Sequence, residues 1–316
     1  MHVRRRSHMA LSLGVLSFLL VAPLTADAGL KAENGRLIAF STDQDPVPQI
    51  FTVHVDGSGL RQLTHVADGQ SASSPAFSPD GRLILFNTDV TGEQELWVMS
   101  FDGSHQRRLM SDPRFVDQNA RWSPDGTKIV FERCAAPFGF IDYCDLDLVD
   151  ANGANRTKIV GGRWLNRDAR FSPDGQHIVF DSSRGGFIRA IWRTNVDGTG
   201  ARRLTPPLLL AFYPDWSPDG RHILFSDNGE RPNSNVWEMR PNGTHLTQIT
   251  HIGGVHNDAF ASYSPDGRKI LFQTDRAYVD CCGDIYIMDH DGSAQTPVVT
   301  TQPGAFFSDW SPQRAG

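Results

Sequence analysis

The sequence predicts an all-β fold: a six-bladed β-propeller of four-stranded antiparallel blades, its ring closed by joining the N-terminal strands with the C-terminal strand. Three observations predict it. Ser-Pro-Asp-Gly begins at Ser78, Ser123, Ser172, Ser217 and Ser264 and recurs in degenerate form from Ser311, at spacings of 45, 49, 45, 47 and 47 residues. A second turn repeats out of phase, at Asp56-Gly57, Asp102-Gly103, Asn152-Gly153, Asp197-Gly198, Asn242-Gly243 and Asp291-Gly292. Between the turns the residues alternate or run apolar as strands do, with no long stretch at helical spacing. A period of about 45 residues holding four short strands is the signature of a propeller blade.

Taken in order, residues 1–28 stand apart from the rest. Arg4, Arg5 and Arg6 form a positive region, 10–21 is almost unbroken apolar, and Ala26-Asp27-Ala28 is an A-x-A site. This is the pattern of a cleaved secretory signal peptide. A standing transmembrane helix would need about 20 apolar residues. Residues 29–316 are then expected to form a single propeller domain, periplasmic or secreted, with no membrane insertion after cleavage. The whole chain carries a formal charge of −6, and loss of its three N-terminal arginines leaves the remainder more acidic. A mildly acidic domain has no electrostatic reason to bind nucleic acid.

Within each unit, the stretch after Ser-Pro-Asp-Gly is the second strand, as in 81–86, 128–131, 177–180, 221–225 and 269–272. The third strand follows at 96–99, 145–149, 191–196, 236–239 and 285–288, and the fourth ends in forms such as 61–64 or 203–205. The innermost strand precedes each Ser-Pro-Asp-Gly and places an aromatic just before the serine: Phe77, Trp122, Phe171, Trp216, Tyr263 and Trp310. One large side chain per blade at a fixed place reads as packing between blades, each contributing about 1.5–3 kcal/mol when buried. In the turns, Pro presets φ, Asp tolerates the bridge or left-handed region, and Gly takes positive φ, so these aspartates are structural.

The ends explain closure. Residues 33–40 align with a second strand that lacks an innermost strand before it, and 305–311 is an innermost strand without a unit after it. Joined, they make one composite blade and remove open sheet edges.

Units such as 263–276, followed by 284–292, resemble the repeats of the TolB-type, WD-like β-propeller family of bacterial periplasmic proteins, over about residues 33–313. The resemblance implies the fold and a periplasmic address. TolB itself has an α/β domain ahead of its propeller, whereas here the first blade starts almost at the cleavage site, so a bridging role in a Tol-Pal system is not expected. Similar propellers precede the hydrolase domain of prolyl oligopeptidase-like enzymes, but no G-x-S-x-G elbow is present.

Four cysteines in an exported chain are first of all disulfide candidates. Cys134 and Cys144 flank a loop between second and third strands and are expected to bridge, stabilising by about 2–3 kcal/mol. The bridge would tether an apolar tip of Phe138, Phe140, Ile141 and Tyr143, a contact surface for a partner. Cys281 and Cys282 are adjacent; a strained vicinal disulfide, free thiols, a metal or an intermolecular bond remain open.

In the innermost strands, acids and amides recur at alternate places: Asp215 and Asp309 two before the serine, Asn119 and Asp168 four before, Asp117, Asn166 and Asp258 six before. Alternation would put them on one face. They could then hold Ca²⁺ on the channel axis, or only hydrogen-bond neighbouring blades. His251, His256 and Asp258 lie on the way into the last complete unit's innermost strand, where His-x-Asp could serve as a base with its orienter or as a solvated turn. The expected function is a monomeric, non-catalytic protein- or peptide-binding module. The alternative is a metal-dependent hydrolase or lyase of the lactonase kind, with a cation in the channel.

Overall fold

The computed structural model describes residues 36–42, 47–135, 143–186, 188–228, 233–276, 283–300 and 304–312. The signal-peptide pattern, Phe138, Phe140, Ile141, Cys281 and Cys282 lie outside these. Six four-stranded antiparallel sheets follow one another in chain order. Blade 1 is composite, with β1 (Leu37–Thr42), β2 (Gln49–His54) and β3 (Arg61–Gln62) completed on the inside by β24 (Ala305–Trp310). Blade 2 is β4 (Ala72–Phe77), β5 (Leu83–Thr88), β6 (Glu95–Ser100) and β7 (Arg107–Arg108). Blade 3 is β8 (Val116–Trp122), β9 (Lys128–Ala135), β10 (Tyr143–Asp150) and β11 (Thr157–Val160). Blade 4 is β12 (Asn166–Phe171), β13 (His177–Ser182), β14 (Ala190–Asn195) and β15 (Arg202–Arg203). Blade 5 is β16 (Ala211–Trp216), β17 (Ile223–Asp227), β18 (Val236–Met239) and β19 (Thr247–Gln248). Blade 6 is β20 (Asp258–Tyr263), β21 (Lys269–Thr274), β22 (Asp284–Asp289) and β23 (Thr296–Val299).

The second strands form the centre of each blade because they are apolar on both faces. Their phenylalanines Phe40, Phe86, Phe131, Phe180, Phe225 and Phe272 are among the largest fully buried side chains of the molecule. Apolar clusters form between blades as well as within them: Trp310 of blade 1 packs with Leu271, Ile285 and Ile287 of blade 6, and Phe77 of blade 2 packs with Ala39 and Ile50 of blade 1. The aromatic before each turn serine is therefore inter-blade packing, as its fixed place predicts.

The turns do what their residues require. In each complete Ser-Pro-Asp-Gly, the serine hydroxyl donates to the aspartate, as Ser78 Oγ does to Asp80 Oδ1 at 2.6 Å, and the glycine amide donates back to the serine carbonyl. Those aspartates sit below the usual carboxylate range where burial is slight, Asp80 being held there first by the Ser78 hydroxyl. Successive turns touch around the ring. A Cβ added at Gly81, where φ is +68°, would lie 3.2 Å from Pro312, so the last turn abuts the first complete one.

Cys134 and Cys144 pair directly across β9 and β10 and form a disulfide. Both are fully buried, so the bridge fixes the base of the loop it closes. Tracing the strands gives the molecule two ends. The Ser-Pro-Asp-Gly and Asp/Asn-Gly turns share one end of the molecule, the former around the channel mouth, and the disulfide between β9 and β10 and the entries to the innermost strands share the other.

Candidate functional site

Every innermost strand carries one residue in the left-handed region, four places before its turn serine: Ser74, Asn119, Asp168, Tyr213, Phe260 and Phe307, with φ between 48° and 55°. At each, the register against the second strand slips by one residue. Such a bulge flips the alternation of faces beyond it. The single face expected for the acids therefore does not exist. Asp117 and Asp258 share the face of Trp122 and Tyr263, whereas Asp215 and Asp309 share the face of Phe212 and Phe306.

The acids are also separately matched. Asp117 takes a two-pronged contact from Arg133, at 2.7 and 2.8 Å, with both side chains buried. Both oxygens of Asp258 accept from Arg276 Nη2 at 2.9 Å. Asp168 lies 3.6 Å from Arg189, which also pairs with Asp181. His256 faces Asp275 at 3.5 Å rather than Asp258, so the His-x-Asp pair does not form as a base with its orienter. His251 is exposed. Tyr143, the one described member of the expected contact loop, is half-buried at the start of β10, at the mouth opposite the turns.

What the bulges create is a ring with two unlike halves. On blades 5, 6 and 1, Tyr213 stacks on Phe260 with centroids 3.9 Å apart, and Phe260 meets Phe307 edge-on at 5.2 Å. On blades 2, 3 and 4 the ring is polar. Ser74 Oγ donates to Asn119 Oδ1 at 2.8 Å, Asn119 Nδ2 to Glu132 Oε1 at 2.9 Å, and the Asp168 amide to the same Glu132 oxygen at 2.8 Å. Glu132 belongs to a repeated device. Asn87, Glu132 and Asp181, at one place of successive second strands, accept from the amides of Asn119, Asp168 and Tyr213 in the next blade. Each ties a left-handed residue down and joins two blades. Burial, followed by the neighbouring Asp168, pushes the Glu132 carboxyl above its ordinary range.

A second tier closes the turn-side mouth. Two places before each turn serine stand Ala76, Arg121, Arg170, Asp215, Ser262 and Asp309, lining a cavity of about 270 Å³. Asp309 Oδ2 accepts from the Phe77 amide at 2.8 Å and Asp215 Oδ2 from the Tyr263 amide at 3.0 Å, each locking its blade to the next. Arg170 Nε stands 3.5 Å from Asp215 Oδ1. Arg121 is buried; its Nη1 donates to the Ala120 carbonyl at 2.8 Å, but its buried Nε has no hydrogen-bond partner among the described residues. Burial pushes Asp215 up to about 6 against the pull of Arg170. Burial, then Arg170, pushes Arg121 down to about 10. Both shifts reflect a charged cluster held largely out of water.

The two arginines and the aromatic half-ring are absent from the sequence-based set of site residues. The place two before the serine draws attention through its acids, Asp215 and Asp309; Arg121 and Arg170 occupy the same place. Tyr213, Phe260 and Phe307 share their place with Asn119 and Asp168.

With this geometry in hand, likeness to known proteins is informative. No curated protein matches the sequence. Among solved structures, TolB from Acinetobacter baumannii superposes with a TM-score of 0.73 at 20% identity, covering 89% of this chain and 68% of that one. A chain of a nidogen/laminin complex gives 0.70 at 11% identity over 88% and 98%. An oligogalacturonate lyase in complex with manganese gives 0.59 at 16% over 84% and 74%. At such identities the likeness concerns the fold. The sequence profile of the TolB beta propeller domain matches residues 142–314, more than half of the chain and all of its last three blades. Together with the six closed blades, that match places the chain in the TolB beta propeller domain family.

Proposed function

We propose that the protein is an exported, monomeric, non-catalytic binding module that seats a peptide or a segment of a protein partner in the turn-side mouth of its channel. The observation that carries this reading is Arg121. A buried guanidinium with an unpartnered Nε, next to a second arginine and above an amphipathic ring, is a donor set for the carbonyls or carboxylate of an inserted segment. A C-terminal carboxylate matches Arg121 and Arg170, and a basic side chain of the same segment matches Asp215 and Asp309. The aromatic half-ring below supplies apolar surface for a side chain that enters further. The nidogen/laminin likeness supports a propeller of this shape working in a protein complex.

Export is supported by the disulfide, since such bonds persist in oxidising compartments, and by the pattern of residues 1–28. The expected apolar tip of Phe138, Phe140, Ile141 and Tyr143 is a second contact candidate; of it only Tyr143 is described, at the end opposite the turns. A hydrolase or lyase with Ca²⁺ in the channel is the weaker reading, because Asp117, Asp168 and Asp258 face arginines rather than a common point.

The test is selection of peptides from a random library on the purified protein, followed by titration against Arg121→Ala and Arg170→Ala. Selected peptides should lose about tenfold or more in affinity, since a hydrogen bond to a charged group contributes roughly 1.5–3 kcal/mol. Peptides that bind both variants as tightly as the parent would sink the reading.

A further inference from the structure

The groove between blades 5 and 6, at the turn-side end but outside the channel, brings together three side chains that the repeat does not require. His222 directly precedes β17, Glu238 lies on β18 beside it, and His290 belongs to the turn after β22 of the next blade. His290 Nε2 is 3.0 Å from Glu238 Oε2 and His222 Nε2 is 3.9 Å from Glu238 Oε1. One ligand atom from each lies within 4.8 Å of the others. We propose that His222, Glu238 and His290 form a binding site for a divalent transition metal of the zinc class, bridging blades 5 and 6.

Three ligands on a tetrahedral zinc stand about 3.3 Å from one another, given metal–ligand distances near 2.0–2.1 Å. The two histidine–glutamate separations, to different oxygens of Glu238, fall on either side of that value, and the three ligand atoms, within 4.8 Å of one another, close to it by side-chain rotation. Two imidazoles and one carboxylate select zinc, cobalt or nickel over calcium and magnesium, which take oxygen. Glu238 is positioned from behind: the Tyr263 hydroxyl donates to its Oε2 at 2.6 Å, the kind of outer hydrogen bond that orients a ligating carboxylate. The Tyr263 ring in turn stacks on His290, with centroids 5.8 Å apart. His222 and His290 line a cavity of about 450 Å³ together with Asp219 and Asp266, open to the side from which a further ligand would complete the coordination. Water or a donor atom of a bound molecule can supply that ligand.

The equivalent groove between blades 4 and 5 is the internal control. There the same places hold His177, Arg193 and Pro241, and Arg193 Nη1 reaches the Pro241 carbonyl at 3.4 Å. Blade packing is thus satisfied by an arginine and a proline, and the His-Glu-His set is not something the fold demands.

The test uses the purified, untagged chain. Zinc titrated calorimetrically should bind at one ion per chain with micromolar or tighter affinity, and cobalt should give visible d–d bands. The His222→Ala/His290→Ala double variant, altered at partly exposed positions and so expected to fold, should lose binding by about a hundredfold or more. Tyr263→Phe, which keeps the ring, should weaken it by about 10–100-fold. Zinc binding unchanged in the folded double variant, or no zinc uptake by the folded wild type at millimolar metal, would overturn the proposal.

Discussion

Asp215 offers a test in which stability and function should move in opposite directions. Its carboxyl lies at the channel mouth with its pKa raised from 3.8 to about 6, burial outweighing Arg170. A raised acid pKa means that the native state favours the protonated form. The favourable contribution is complete below about pH 4 and is lost as pH rises through about 6, so above pH 7 the ionised carboxylate costs about 3 kcal/mol relative to the unfolded chain. Asp215→Asn removes the charge but keeps an oxygen for the Tyr263 amide. In urea denaturation at pH 4 to 8, the variant should equal the wild type near pH 4 and exceed it by up to about 3 kcal/mol at pH 7.5. The selected peptides should nevertheless bind it more weakly. A variant less stable than the wild type at pH 7.5, with a gap that widens as pH rises, would show that attraction to Arg170 dominates and would refute the reasoning.

Three further outcomes are expected. Asp117→Ala takes the two-pronged partner from the buried Arg133 and leaves it Asp112 alone, 3.5 Å away, and should cost about 3 kcal/mol in unfolding free energy, whereas Asp117→Leu combined with Arg133→Met should cost less; equal losses would deny that the under-paired charge is the cause. Replacing Cys134 and Cys144 by serine opens a ten-residue separation and should lower stability by about 2–3 kcal/mol, with no change in peptide affinity at the opposite mouth. Phe260→Ala removes the middle ring of the aromatic half and should weaken peptides that carry an apolar residue next to their charged end more than those that do not; equal effects on both kinds would remove the half-ring from the site.

The architecture was legible because each repeated place has one physical job. Ser-Pro-Asp-Gly can only be a turn with a positive-φ glycine, Phe86 and its counterparts can only be blade centres, and the unpaired strands at the two ends can only complete each other. The cystine was legible from loop length and compartment. The site was legible only in part. Strand alternation is a rule about unbroken ladders, and the bulges at Ser74, Asn119, Asp168, Tyr213, Phe260 and Phe307 break it in every blade. Nothing about Tyr213 or Phe260 marks a left-handed conformation locally; for Tyr213 the acceptor that meets its amide, Asp181, belongs to the neighbouring blade. His222, Glu238 and His290 come from two blades, and their meeting depends on the closeness of adjacent sheets, which the spacing of residues along the chain does not express.

The most direct measurement is a crystal structure of the protein with its best selected peptide. A carbonyl or carboxylate of the peptide within about 3 Å of Arg121 Nε, in the turn-side mouth, is the predicted result. A peptide seated at the opposite mouth or along the outer edges of the blades, with Arg121 Nε still lacking an acceptor from it, would contradict the binding role assigned to the channel.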